Sequence, residues 1–320
     1  MLYILAHRYF ASDRILRSLD PKLPIRLIYI EPVAKKHPLL WLWLLMGEAI
    51  MGINFFSRRY HPVSHYEAIR QIRTDDRVLI FDVWDICGYI ATAKNMSSRH
   101  RCLWLWNTAF TLSKSEKRRR IAIRILQRWM QRIYTFDFGD ADRYGLMFKE
   151  QLYCREVLPA ASAEEPVDLF FVGVEKGRLE TLVALCESAR AEELSTFFHI
   201  VPGRGIGAHP PHLHKYLATA SISYDETLAH ITRAQALVEI VAPGQQGSTL
   251  RAMEALFFGK KLITDNPAVE RETFYRPENI YRLGRETRTL RQFLDEPAVP
   301  LPREIIDIHE VNHWIEVFFE

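Results

Sequence analysis

Residues 237–266, LVEIVAPGQQGSTLRAMEALFFGKKLITDN, constrain the fold more than any other stretch of the chain. Leu237, Val238, Ile240 and Val241 form a short apolar run with β-branched residues, the composition of a buried strand. Pro243, Gly244 and Gly247 interrupt it, and Ser248 or Thr249 then offers a helix N-cap. The expected helix carries Leu250, Met253, Ala255, Leu256 and Phe257, and Gly259 is a natural left-handed stop. Leu262, Ile263 and Thr264 begin another strand. A strand, a turn, a short helix and a second strand predict a βαβ unit and hence a parallel sheet.

That geometry suggests chemistry. The loop after a parallel strand and the helix start that follows it present backbone N–H groups and a positive dipole end to an anion. Gly244 and Gly247 let backbone approach a ligand, Arg251 in the first helical turn can fork onto a phosphate, and Glu254 can accept from a sugar hydroxyl. The plainer alternative is an ordinary βαβ turn with a solvated Arg and Glu. A second stretch, 168-DLFFVGVEKGRLE-180, repeats the pattern: a strand, then Gly173, Lys176, Gly177 and Arg178, then a helix with Leu179, Leu182, Val183, Cys186 and Ala189 on one stripe. Its alternative is a tight turn with two solvated cations. Tyr224, at the end of an expected strand 217–223 and the start of a helix reaching Ala236, is placed either to stack on a base or to close the core edge.

The stretch STLRAMEALFFGKKLITDN resembles the donor-binding segment of GT-B nucleotide-sugar glycosyltransferases, in particular bacterial enzymes of lipopolysaccharide and capsule assembly. FVGVEKGR resembles the first loop of the donor domain in that group, and 137-DFGDADRYGLMFKEQLY-153 resembles its interdomain region. The resemblance implies an α/β chain of two Rossmann-like domains with a C-terminal helix crossing back to the first. With the composition of the chain it sets an acceptor-side domain at 1–158, a linker at 159–166, a donor domain at 167–303 and a last helix at 304–320. It implies a nucleotide-sugar donor held by Gly173, Lys176, Arg178, Tyr224, Gln246, Gly247, Ser248, Thr249, Arg251 and Glu254, with no metal and no cofactor. Retaining members often carry Glu-x7-Glu here; Glu254 matches the second position but Gln246 occupies the first, which leaves the stereochemistry open.

In the first half, LYIL at 2–5, IRLIYI at 25–30, RVLIFDVWD at 77–85, CLWLW at 102–106 and IYTF at 133–136 read as strands. His7 and Arg8 follow the first strand, where α/β ligand loops occur, so His7 is a candidate acceptor contact; a surface His-Arg pair is the alternative. Asp82 and Asp85 end another strand and can orient or deprotonate an acceptor hydroxyl, or cap the next helix. With Glu254 they complete the candidate catalytic set. The apolar stretch 39–56 carries Glu48, Gly47 and Gly52, which favours a core or interfacial helix over a membrane span.

Charge is concentrated rather than large. The net formal charge is only +3, yet between 114 and 132 Lys114, Lys117, Arg118, Arg119, Arg120, Arg124, Arg128 and Arg132 oppose only Glu116. Ile121, Ile125, Leu126, Trp129 and Met130 recur at helical spacing, giving a basic amphipathic helix suited to anionic lipid headgroups. Nucleic acid is not expected, because aromatics and glycines are not interleaved with the cations. Cys87, Cys102, Cys154 and Cys186 show no metal spacing, and His209, His212 and His214 lack a nearby carboxylate or thiol, so the latter are assigned to a mobile loop. Asp140 and Asp142 spell Asp-x-Asp in an expected turn and carry little weight. Free thiols, and a start with no long apolar core, suit a cytoplasmic protein held peripherally at the inner membrane face. Two other functions fit the pattern: a nucleotide-sugar 2-epimerase, and a non-catalytic binder of lipid or RNA.

Overall fold

A computed structural model describes residues 1–7, 9–29, 66–81, 93, 96–156, 165–203 and 209–320. Arg8, Asp82, Asp85, the stretch 39–56 and most of the expected linker lie outside these residues. The chain forms two compact units, 1–150 with 311–320, and 151–310.

The first unit is built on a parallel sheet of β1 (Leu2–Ala6), β2 (Ile25–Tyr29), β3 (Arg77–Phe81), β4 (His100–Leu105), β5 (Arg132–Thr135) and β6 (Met147–Phe148), in the order β2-β1-β3-β4-β5-β6. Leu2, Ile4, Leu5, Leu79, Ile80, Leu103 and Trp104 are all but inaccessible, as strands covered on both faces require. The helix Glu116–Gln127 forms where the basic periodicity predicts it. Ala122, Ile123 and Leu126 face the core, while Lys117, Arg118, Arg120 and Arg124 are exposed. Arg119 departs from the expected basic face. Its guanidinium turns inward, donating to Tyr144 Oη at 2.9 Å, Ser113 O at 2.7 Å and Glu116 Oε2 at 2.9 Å.

The second unit holds β7 (Val167–Val174), β8 (Thr196–Val201), β9 (Ala234–Glu239), β10 (Lys261–Thr264) and β11 (Ile280–Arg282), all parallel, in the order β11-β10-β9-β7-β8. Thr249 caps the helix Leu250–Phe257, its side chain accepting from Arg251 N, and Gly259 takes φ 61° beyond the end. Residues 237–266 therefore fold as β9, helix, β10. Leu179, Leu182, Val183, Cys186 and Ala189 all point into the core from the helix Leu179–Ala191.

Three expected elements differ. Residues 217–223 form no strand; Leu217 makes a single bridge to Ile200, because its small, exposed neighbours offer no face to bury. The following helix stops at Arg233, and β9 starts at Ala234, three residues before the apolar run. The terminal helix is broken into Arg303–Asp307, Val311–Trp314 and a 3-10 turn Ile315–Phe319, with Tyr153 bridging Glu310 between the first two pieces. That bridge holds 303–310 in the second unit, while Trp314, donating to Glu150 O at 2.7 Å, belongs to the first.

Candidate functional site

In the second unit the chain runs from β7 outward to β8 on one side, then returns to place β9 on the other. The loops leaving β7 and β9 diverge at that switch in direction, which opens a crevice at the carboxyl ends of the strands. A cavity of about 300 Å³ lies there, lined by Gly177, Arg178, Thr181, Gly244, Gln246 and Asp265 among others. Its volume is at the lower end of small-molecule sites.

The wall from β7 is a tight turn. Lys176 and Gly177 take φ 42° and 81°, and Arg178 N donates to Glu175 O at 2.7 Å. Two successive positive φ values mark a type I′ turn, a conformation that glycine adopts freely and lysine reluctantly. Arg178 then reaches across the switch. Its Nη2 donates to Val174 O at 2.7 Å, its Nε to Glu175 O at 3.2 Å, and its Nη1 to Ile240 O beyond β9. Burial pushes the guanidinium below its ordinary value, and Asp265, Glu239 and Glu175 pull the other way. Three of its five N–H groups are thus spent on fixing a cation between two strand ends, leaving two for a ligand.

The wall from β9 is a Pro-Gly turn in which Gln245 N donates to Ala242 O at 2.9 Å and Gly244 takes φ 81°. Pro243 presets the first central angle and Gly244 accepts the second. Asp265, the first residue after β10, accepts from Val241 N at 2.8 Å and keeps that wall in register. Burial raises its carboxyl above the ordinary range, and Arg178 acts against the rise.

Of the expected donor-binding residues, Arg178 and Gln246 line the cavity; Gly173, Lys176, Tyr224, Gly247, Ser248, Thr249, Arg251 and Glu254 do not. The helix start at 247–251 was expected to leave its amides for an anion. Instead Thr249 N donates to Glu239 Oε1 at 2.6 Å and Ser248 N to Glu272 Oε1 at 3.3 Å, so the chain supplies its own carboxylates. Glu239 is fully buried, also accepts from Thr264 Oγ1 at 2.7 Å, and is raised in pKa chiefly by that burial.

Arg251 and Glu254 likewise turn to each other. The Arg251 guanidinium pairs with the Glu254 carboxylate, donates to Val172 O at 3.1 Å and lies over the Phe170 ring at 5.1 Å. Glu254, 2% exposed, also accepts from Tyr224 Oη at 2.9 Å, and that hydroxyl is joined by the hydroxyl of Tyr153. Arg251 and Glu254 thus pair with each other away from the cavity lining, and the polar end of Tyr224 is hydrogen-bonded within the protein. The reason is register: positions 251 and 254, on one face of the helix, are turned to the sheet and the neighbouring helix rather than the crevice.

Residues that the sequence reading passed over include Asp265, Thr181, Glu239 and Glu175. Asp265 had a signal, a carboxylate at the end of a parallel strand, the same one used to single out Asp82. In the first unit the switch falls between β1 and β3, where Ala6 pairs with Phe81. His7 follows β1 at that place and is partly buried. No group of three or more His, Cys, Asp or Glu side chains able to hold a metal occurs among the described residues.

No protein-family model matches the chain, and no curated protein matches it. Solved structures do. An α,α-trehalose-phosphate synthase (UDP-forming) from Burkholderia xenovorans, in complex with glucose-6-phosphate, is similar at TM-score 0.61 and 11% identity over 99% of this chain and 98% of that one. Anabaena HepE, in complex with UDP and glucose, is similar at TM-score 0.59 and 8% identity over 100% and 99%. UDP-GlcNAc 2-epimerase from Methanocaldococcus jannaschii is similar at TM-score 0.50 and 11% identity over 99% of each chain. With the two parallel sheets, these likenesses show the fold expected from the sequence: two Rossmann-like α/β units of the GT-B class.

Proposed function

We propose that this chain is a glycosyltransferase that moves a sugar from a nucleotide-sugar donor to a cell-surface glycan, of the lipopolysaccharide or capsule type, without a metal. The observation that carries the reading is the cavity at the switch point of the second unit, with Arg178 pinned at its mouth by Val174, Glu175 and Ile240. When the sugar leaves its nucleotide, negative charge grows on the departing phosphate. A cation already held in place stabilises that charge without reorganising. Gly244 and Gln246 form the facing wall, where backbone can approach the diphosphate. The fold neighbours that hold UDP with glucose, or form UDP, support a nucleotide sugar as the donor. His7, Asp82 and Asp85 remain the proposed acceptor-side residues, the two aspartates as candidate bases.

A thermal-shift screen against UDP, GDP, CMP and dTDP tests the reading. The correct nucleotide at about a hundred times its dissociation constant adds about 2.7 kcal/mol to stability. In Arg178→Ala the same nucleotide binds at least tenfold more weakly, the scale of a lost charged hydrogen bond. If none of the four shifts the wild type, the donor reading fails.

The likeness to a 2-epimerase keeps a second reading in play. Incubation with a nucleotide sugar alone, followed by NMR, gives an epimer under that reading and unchanged donor under the first. The basic helix Glu116–Gln127 supports a reading in which the protein meets its acceptor at an anionic membrane. Lys114, Lys117, Arg118, Arg120, Arg124 and Arg128 are exposed around Ile121, itself 43% exposed, which supports peripheral attachment through this face. Among the described residues no helix is long and apolar enough to cross a membrane.

A further inference from the structure

The turn that presents Gly177 and Arg178 to the cavity is held from behind by a pair of side chains for which the proposed transfer has no use. Glu175, the residue after β7, is 1% exposed. Its Oε2 accepts from Gly177 N at 2.5 Å and from His209 Nε2 at 2.9 Å. His209 arrives from the segment after β8 and is itself nearly enclosed, its side chain 10% exposed. Gly203 packs closely against the same junction: a Cβ there would stand 2.6 Å from Glu175 Oε1 and 3.2 Å from Val174 Cγ1, so a larger residue would have to displace the Glu175 carboxylate. Glu175 therefore bolts the segment leaving β8 to the turn leaving β7. Burial works to raise its carboxyl, but the Gly177 amide and His209 outweigh that and hold it below the ordinary value.

Among the described residues, the charged groups around the imidazole are few. Glu175 faces Nε2, and Glu180, exposed at the start of the next helix, lies 4.0 Å from Nδ1. Lys176 and Arg178 flank Gly177 on the turn itself. A neutral imidazole already donates one hydrogen bond to Glu175. A protonated one makes that bond charge-assisted and adds a positive charge behind the phosphate-facing turn.

We propose that His209 and Glu175 form a positioning clamp for the Lys176–Gly177–Arg178 turn, and that protonation of His209 tightens the site for a diphosphate. The proposal rests on the donor-site reading for its ligand, but the clamp itself is a property of the free protein. Two measurements separate them. In ligand-free protein, hydrogen exchange of the peptide spanning 175–178 rises several-fold in His209→Ala and returns toward wild type in His209→Gln, whose amide can still donate to Glu175. Exchange unchanged in His209→Ala would overturn the clamp whatever the ligand is.

The second measurement is the affinity for UDP-glucose at about pH 8 and about pH 6, the span in which histidine side chains change charge. A nucleotide sugar is used because its diphosphate lacks the terminal ionisation near pH ~6 of a free phosphate. Wild type binds about fivefold more tightly at the lower pH, the scale of one screened charge interaction. His209→Gln keeps the affinity seen at the higher pH and loses the gain; Glu175→Gln weakens binding at both. The same pH gain in His209→Gln as in wild type would overturn the protonation step. UDP-glucose binding to no form at either pH, with none of the four nucleotides shifting the wild type, would end the donor-site reading and, with it, the protonation step, leaving the exchange result to decide the clamp.

Discussion

Arg178 and Arg251 sit near the same strand ends, and burial gives them different work. Arg178 spends three donors on carbonyls and still borders the cavity. Arg251 has an inward-turned carboxylate partner, a carbonyl and an aromatic face, with its side chain 13% exposed and that of Glu254 3%. Removing one member of such a pair leaves the other charge uncompensated in the interior, a loss of about 3–5 kcal/mol. Arg251→Ala is therefore expected to lower the urea midpoint sharply, and Arg251→Met combined with Glu254→Gln to recover part of the loss. A variant Arg251→Ala that unfolds like wild type yet fails to bind nucleotide would return the phosphate role to Arg251. The sequence could not separate the two arginines, since both follow a glycine-containing loop at a helix start. What distinguishes them is which strand carbonyl lies opposite across the sheet: Ile240 O for Arg178 and Val172 O for Arg251, 62 and 79 positions away.

At the level of elements, 137–153 shows how a short helix hides in turn-forming letters. Phe138–Tyr144 is helical because Asp137 accepts from Asp140 N at 2.9 Å as its N-cap and Gly145 closes it at φ 64°. Gly and Asp in the stretch read as turn residues, yet they mark the two ends and the first turn of a helix. Asp140 does more than sit in that first turn: its Oδ2 accepts from Ala109 N at 2.6 Å, joining the helix to the 3-10 turn Ala109–Thr111. Burial raises its pKa to about 6, the nearby Asp137 adds to the rise, and the Ala109 amide opposes it. The folded state then holds this proton more tightly than the unfolded chain. Stability from this group is present below the ordinary carboxylate value and is lost as pH rises from about 4 to about 6. Asp140→Asn, which keeps an acceptor for Ala109, is expected to flatten that slope and to leave the protein about 2 kcal/mol more stable at pH ~7. Urea unfolding at several pH values checks it; an unchanged slope would show that Asp140 titrates normally.

For the whole molecule, the basic face of Glu116–Gln127 carries the prediction about location. Each Lys or Arg near an anionic surface contributes about 1 kcal/mol at most. Replacing Lys117, Arg118, Arg124 and Arg128 with Gln should weaken co-sedimentation with phosphatidylglycerol-containing vesicles by about a hundredfold or more, and Ile121→Asn should weaken it further. Equal sedimentation of wild type with neutral vesicles, or retention on RNA instead, would rule out this surface as a lipid contact. Arg119 is left out of the set because Tyr144, Ser113 and Glu116 hold it inside. The sequence by itself determined the class of fold and the place of its central unit. Alternating apolar runs, caps and glycines act within a few residues, so β7, β9, β10, their helices and the parallel direction of the sheets were legible. It also determined that ligand chemistry gathers in the loops after those strands. Only the tertiary structure decided which loop groups remain available. Glu239 and Glu272 reach the amides at 248–249, Glu254 takes Arg251, and Asp265 and Arg178 are left at the crevice. Apart from the i,i+3 pair Arg251–Glu254, which local spacing allows, the hydrogen bonds that settle that division join residues 10 to 79 positions apart, and local spacing carries no record of them.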